Sequence, residues 1–272
     1  MLSLFLLACP SAFTKVDDFC GTTIWGYEPV GPPDDAAQAL ERVNCYRSLM
    51  GLEPGVLDPR LDAAASSHAL YMAQADDLTH AEDPDAPGFT GERVWDRVEV
   101  AGYALSDDEI VTELVAYGPD PKAAVDAWMN SVYHREALTI SNWSAMGFGS
   151  DGGWSSLAVV YRSPEGTVIY PADAQDGVPT RFDTDSESPD PLPELGFVGP
   201  PLSITGSEVE AGSLTGPDGL IELAELHAGV DPELDFMSAF VPVHALEPFT
   251  EYTFGVDLSD GRQLTSTFRT AP

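Results

Sequence analysis

Basic residues are scarce in this chain. Its 272 residues include 12 lysines and arginines against 45 aspartates and glutamates, which gives a formal net charge of −33 at pH 7. Such a surface repels phosphate backbones, so the composition excludes nucleic acid as a partner. The acidic residues are scattered, as on a solvated surface. The hydrophobic content of 43% supports packed cores, so the chain is not a disordered one.

Long apolar runs are also missing. The apolar stretch at residues 2–8 is too short to span a bilayer. The letters LLAC at residues 6–9 resemble the lipobox of bacterial lipoprotein signals, in which Cys9 would take the lipid. Residues 1–9 are therefore predicted to be a lipoprotein-like signal, with membrane association through a lipid anchor. An ordinary secretion signal, removed together with Cys9, is the alternative, and either one predicts an extracytoplasmic protein.

Cysteines number only three. If Cys9 is lipidated or removed, Cys20 and Cys45 remain as an even pair in an oxidising compartment. Cys45 lies off the apolar stripe of the helix predicted after residue 34, on a side that an outer segment can reach. The sequence therefore predicts a Cys20–Cys45 disulfide that joins the leading segment to this helix. Two free thiols, which an exported protein seldom keeps, are the alternative.

The chain divides by composition into two folded parts. Residues 10–33 are predicted to form an irregular arm, and the stretches after it show the apolar spacing of helices. Two strand-like runs then end the first part near residue 172. Helices followed by a few strands predict a domain at residues 34–172 that is either α+β or layered as α/β/α. Residues 173–195 are rich in proline and predict a stiff strap or linker. Residues 196–272 alternate apolar and polar positions, and "EYTFGVDLSDGRQLTSTFRT" predicts a hairpin within a small Ig-like β-sandwich.

Recognisable catalytic motifs are absent: there is no HExxH and no nucleophile motif around a serine or cysteine. Of the histidines, His68 lies on the apolar stripe of its helix and is predicted to be a hydrogen-bonded core residue. His134 is predicted to project away from the apolar face of a helix that runs on from Ala123. It is then either plain surface or one wall of a cleft.

Two imidazoles and a carboxylate, from His80, His134 and Glu113, are the candidate functional group. If they converge, they could hold a divalent ion or exchange protons near neutral pH. Their spacing in the sequence does not itself show that they converge.

A family resemblance connects these positions. Six stretches occur in the order found in the CAP superfamily, which includes cysteine-rich secretory proteins, antigen 5 and pathogenesis-related plant proteins, and whose domain is also called SCP. They are "ERVNCYRSLMGLEPGVLDPRLDAAASSHALYMA", "DLTHAEDPD", "DRVEVAGY", "ELVAYG", "AVDAWMNSVYHREAL" and "MGFG". The region from about residue 36 to 161 thus resembles the bacterial form of this domain. Two departures stand out: Leu114 replaces an asparagine, and Val132-Tyr133 replaces a Pro-Gly.

The resemblance implies an α-β-α sandwich with a shallow cleft at His80, Glu113 and His134. The family pattern has a fourth, acidic member, which the sequence does not place, and Glu136 is not assigned to it. The resemblance does not imply an established reaction.

The leading hypothesis is an exported binding or interaction protein for a small or lipidic ligand, for a cell-surface partner, or for zinc or another divalent metal. A metal-dependent hydrolase, with a zinc-bound water and Glu113 as base, is the alternative. A purely structural domain is the third possibility.

Overall fold

The computed structural model describes residues 13–20, 34–118 and 120–272, and in them a helix-rich part precedes an all-β part. The helices are α1 (Asp35–Leu49), α2 (Pro59–Ala75), α3 (Val94–Val100), α4 (Pro121–Met129) and α5 (Tyr133–Thr139). The strands are β1 (Thr14–Lys15), β2 (Ile110–Tyr117), β3 (Trp143–Asp151), β4 (Trp154–Tyr161), β5 (Val168–Tyr170), β6 (Gln175–Val178), β7 (Phe182–Asp183), β8 (Phe197–Val198), β9 (Leu202–Thr205), β10 (Val209–Gly216), β11 (Gly219–Ile221), β12 (Leu223–His227), β13 (Met237–Pro242), β14 (Glu251–Leu258) and β15 (Gln263–Thr270).

The first part is an α-β-α sandwich around a three-stranded antiparallel sheet in the order β2-β4-β3. Strand β4 is buried on both faces. Its residues Leu157 and Val159 pack in one cluster with α1, α4 and α5, while Ala158 and Val160 pack in another with α2 and α3. The predicted α+β class and the sandwich implied by the family resemblance are both confirmed.

Helix α2 lies unusually close to β3, and two glycines make this approach possible. A Cβ atom at Gly147 would overlap the backbone of Leu61 and Asp62, and one at Gly149 would overlap the backbone of Ser66. The Phe148 N–H between them donates to Asp62 Oδ1 at 3.0 Å. The "MGFG" stretch is therefore needed where helix and sheet backbones meet.

The single helix predicted from Ala123 onward is wrong, because the structure breaks it into α4 and α5. Helix α4 has a local cap, since Asp120 accepts the Ala123 N–H at 2.9 Å. Helix α5 has no capping side chain of its own at Val132. A carboxylate from 55 residues further along the chain takes that role, as described below.

The second part contains two larger β-sheets that share a hydrophobic core. One sheet has the order β1-β6-β15-β14-β10-β11 and the other the order β12-β13-β9-β5. Phe240, Phe254 and Phe268 are fully buried between them. The predicted hairpin is confirmed, since β14 pairs antiparallel with β15 over residues 251–257 and 263–269. Whether the sandwich is Ig-like stays a prediction.

The segment at residues 173–195 differs from the stiff linker that its prolines suggest. It contributes β6, which pairs in parallel with β15, and β7, which pairs with β8. Strand β5 does not pair with β4, the strand before it, but joins the second part through β9. The two parts are thus joined by ladder hydrogen bonds as well as by the chain. Their predicted boundaries stay a prediction.

Helix α5 makes most of the polar contacts between the parts. Arg135 Nη1 donates to Pro201 O at 2.5 Å, and the Thr139 and Thr205 hydroxyls lie 2.7 Å apart. The buried Glu136 carboxylate accepts the backbone N–H groups of Asp235 and Phe236 at 3.0–3.2 Å. Burial raises the pKa of Glu136 to about 7, although these backbone donors act in the opposite direction.

The Cys20–Cys45 disulfide is present and connects the segment after β1 to α1. The prediction of this pairing is confirmed. Cys9 and the proposed lipoprotein-like signal lie outside the described residues, as does most of the arm at residues 10–33. Across the described ranges, no helix combines the length and the apolar character needed to cross a membrane.

Candidate ligand-binding cleft

His80, Glu113 and His134 line one open cleft of about 420 Å³. His80 lies in the loop between α2 and α3, Glu113 on β2, and His134 in the first turn of α5. The structure therefore brings the three predicted side chains to a common cavity. They are not equally accessible: the His80 side chain is 49% exposed, that of His134 20%, and that of Glu113 only 3%.

Glu113 is held by protein groups on both carboxylate oxygens. Arg97 Nη2 donates to Oε2 at 2.7 Å and His80 Nδ1 lies 3.2 Å from the same oxygen, while Ser156 Oγ donates to Oε1 at 3.0 Å. Burial raises the pKa of this carboxyl, but the hydrogen bond from His80 and the positive charge of Arg97 outweigh it. The pKa of Glu113 is therefore lower than usual, which favours the ionised form.

Buried side chains hold the loop that carries His80. His68 is fully buried, as predicted, with Nδ1 2.9 Å from Glu82 Oε1 and Nε2 2.8 Å from Thr79 O. Arg97 Nη2 also donates to His80 O at 3.2 Å. The loop backbone is thus fixed on both sides of His80, which keeps that imidazole at the mouth of the cleft.

His134 also pairs with a carboxylate, and this one comes from the proline-rich segment. Its Nδ1 lies 2.9 Å from Oε1 of Glu187, whose side chain is 1% exposed. Glu187 also accepts the backbone N–H groups of Val132 and Tyr133 at 2.7 Å, and that of His134 at 3.2 Å. Glu187 thus caps α5 and is also the acidic partner of His134, a contact that the sequence analysis did not predict.

The rest of the cleft wall combines apolar and polar side chains. Trp95 stands in it with 54% of its surface exposed, beside Val94 on the same helix. The other part of the molecule also contributes, through Pro189 and Glu233. The cleft is therefore built from both parts of the chain, and it offers apolar surface next to two imidazoles.

The donor set does not fit a divalent metal ion. The oxygens of Glu113 are already taken by Arg97, Ser156 and His80, and a guanidinium 2.7 Å away repels a second cation. His134 pairs through Nδ1 with Glu187 and His80 through Nδ1 with Glu113, so each ring has only Nε2 left for a ligand, and two imidazole nitrogens without a free carboxylate are fewer donors than a zinc site uses. Within the described part of the chain, no three His, Cys, Asp or Glu side chains are grouped so that they could hold a metal.

A larger cavity of about 540 Å³ lies in the second part of the molecule, around Phe236, Met237 and His227. It contains none of the predicted site residues. The His227 ring there is bonded to Glu225 and Ser238, its neighbours on the sheet. We therefore take the smaller cleft, where buried charges and open imidazoles meet, as the candidate functional site.

Comparison with known proteins agrees with this fold. A family model described as "Cysteine-rich secretory protein family" (CAP) matches residues 40–161. No curated protein matches the chain. Three solved structures are similar over part of it.

The first is an extracellular protein with an SCP domain from Bacillus anthracis, 20% identical, with a TM-score of 0.42, covering 48% of this chain and 45% of its own. The second is a cysteine-rich secretory protein from Staphylococcus aureus, 24% identical, with a TM-score of 0.37 and coverages of 49% and 41%. The third is an outer surface protein from Borrelia burgdorferi, 19% identical, with a TM-score of 0.35 and coverages of 47% and 90%.

The chain spans less than half the length of the first two of these proteins. The assignment rests on the family model, which covers all five helices except the first residues of α1, and all three strands of the sandwich. The α-β-α sandwich of this chain is therefore a CAP domain of the cysteine-rich secretory protein family.

Proposed function

We propose that this chain is an extracytoplasmic binding protein whose cleft takes a small, uncharged amphipathic ligand of lipid-like character. The observation that carries the proposal is the joint presence of the exposed Trp95 and of two carboxylate-paired imidazoles in one cavity. An apolar body would cover Trp95 and Val94, and a polar head would reach His80 and His134.

The charges of the cleft favour an uncharged head group. Glu113 is neutralised by Arg97, the exposed Arg93 and Glu233 carry opposite charges on the cleft wall, and the net charge of −33 repels anions at long range. A fatty acid carboxylate would meet that repulsion, whereas a neutral glyceride would not.

The extracytoplasmic location is supported by the Cys20–Cys45 disulfide, since such bonds persist in oxidising compartments. Lipid anchoring through Cys9 remains part of the proposal. A cell-surface partner is the second candidate for the same cleft, because both parts of the molecule contribute to its rim.

A hydrolase has less support. Zinc chemistry would need Glu113 free of Arg97, and an imidazole-activated serine would need its hydroxyl at a free ring nitrogen. Ser131 lies 3.1 Å from His134, but at Nδ1, and its hydroxyl donates to Trp128 O. Neither mechanism has its groups in place.

Tryptophan fluorescence tests the proposal. Titration with a long-chain monoacylglycerol below its aggregation concentration is expected to give a saturable blue shift, because the apolar body covers Trp95. The matched free fatty acid is expected to bind more weakly at low salt. Trp95→Phe is the control, and it should abolish the shift. A shift that persists in this variant, or no shift with either lipid, would contradict the proposal.

A further inference from the structure

Glu187 lies outside the family domain, yet its carboxylate reaches the cleft histidine. It is 26 positions beyond the end of the matched segment and 53 beyond His134. The CAP domain alone therefore lacks this contact, and the segment that joins the two parts of the molecule supplies it.

The hydrogen-bond partners of His134 determine which ring nitrogen carries the proton. Nδ1 faces two oxygens, Glu187 Oε1 at 2.9 Å and Ser131 Oγ at 3.1 Å. The Ser131 hydroxyl donates to Trp128 O at 3.0 Å, so toward the ring it acts as an acceptor. Because both neighbours of Nδ1 accept, Nδ1 must be the nitrogen that donates.

The carboxylate itself cannot turn away from the ring without losing other bonds. Its two oxygens accept the N–H groups of three successive residues, Val132, Tyr133 and His134. These contacts fix the plane of Glu187 relative to the first turn of α5. A carboxylate on an exposed, freely rotating side chain would not hold the imidazole in this way.

We infer that Glu187 is a positioning residue for the cleft: it fixes the orientation of the His134 imidazole, so that in the uncharged form of the ring the proton is on Nδ1 and the lone pair on Nε2 is left for the ligand. Nε2 has no hydrogen-bond partner among the residues that the structure describes. This inference rests on the proposed function and restricts the head group of the ligand. A head group that contacts Nε2 of His134 must donate a hydrogen bond to it, as a hydroxyl does.

The chain offers a matched control in Glu136. It is also a buried carboxylate that binds backbone N–H groups across the boundary between the two parts, but its partners are Asp235 and Phe236. Glu136→Gln therefore disturbs the junction of the two parts without removing a partner of His134. Glu187→Gln disturbs this junction and also removes a partner of His134.

The reactivity of His134 toward diethyl pyrocarbonate tests the inference, since this electrophile attacks an unprotonated imidazole nitrogen. At pH 8 the rate of carbethoxylation at His134 is measured by peptide mass spectrometry relative to that at His80 in the same molecule. In Glu187→Gln this ratio is expected to fall about tenfold, the effect of losing one hydrogen bond to a charged group. In Glu136→Gln it should change by less than about twofold, because the His134 contacts are intact. Equal falls in both variants, or no fall in Glu187→Gln, would overturn the inference.

A measurement on the unmodified protein covers the case in which Glu187→Gln does not fold. Long-range ¹H–¹⁵N correlation spectra at pH 8 report which nitrogen of each imidazole carries the proton, and His134→Gln assigns the signals. We expect the His134 proton on Nδ1, and finding it on Nε2 would refute the inference. Neither experiment uses a lipid, so a failure here is separate from a failure of the proposed ligand class.

Discussion

Replacing Arg97 by methionine removes the cation that neutralises Glu113 while keeping an unbranched side chain of similar length. Both side chains are almost fully buried, at 1% and 3% exposed, and their closest atoms lie 2.7 Å apart. For unit charges about 4 Å apart and an effective dielectric constant near 20, the attraction is about 4 kcal/mol. Removing one partner of a buried pair usually costs about 3–5 kcal/mol, because the other charge stays buried alone.

We therefore expect Arg97→Met to lower the free energy of unfolding by about 3–5 kcal/mol. Urea denaturation followed by circular dichroism measures it. Arg93→Met is the control, since Arg93 lies exposed at the cleft and should cost less than about 0.5 kcal/mol. In a double-mutant cycle, Glu113→Gln should cost less in the Arg97→Met background than in the wild type. A cost below about 1 kcal/mol for Arg97→Met, or additive effects in the cycle, would refute the reasoning.

Three further predictions concern stability. Folding raises the pKa of Glu136 from 4.5 to about 7 and that of Asp62 from 3.8 to about 6, mainly through burial, so the folded state binds more protons in these windows. The free energy of unfolding should thus fall by about 4 kcal/mol as pH rises from 4.5 to 7, of which Glu136 contributes about 2–3 kcal/mol that Glu136→Gln removes, and a rise would contradict this. Gly147→Ala should cost at least about 3 kcal/mol, because the new methyl group overlaps the α2 backbone, and a neutral result in thermal melts would show that the helix can shift. Replacing Cys20 and Cys45 together by alanine should cost about 3 kcal/mol, and the same loss should follow reduction of the wild type but not of the double variant.

Local patterns in the sequence were sufficient to predict those helices and strands whose formation depends on residues close together in the chain. Helix α2 and the β14–β15 hairpin were predicted from their apolar periods and turn residues, and the structure confirms both. The Cys20–Cys45 pair followed from counting thiols and from the position of Cys45 on its helix. The convergence of the three cleft residues came from the family resemblance and not from spacing.

What the sequence could not show depends on contacts between distant residues. The start of α5 has no local cap, and only the folded chain brings Glu187 to its N–H groups. Arg97 lies in the "DRVEVAGY" stretch, but nothing in its neighbourhood in the sequence indicates that Glu113 is its partner. Strand β5 follows β4 closely and yet pairs with β9, because both edges of β4 are already paired with β2 and β3.

The central claim is that the carboxylate in the cleft is satisfied by the protein's own groups and not by a metal. Anomalous diffraction at the zinc edge, from crystals of the intact chain soaked in zinc, tests it most directly. The account predicts no anomalous peak in the cleft and an unbroken contact between Arg97 and Glu113. A peak coordinated by His80, Glu113 and His134, with the Arg97 side chain displaced, would contradict it.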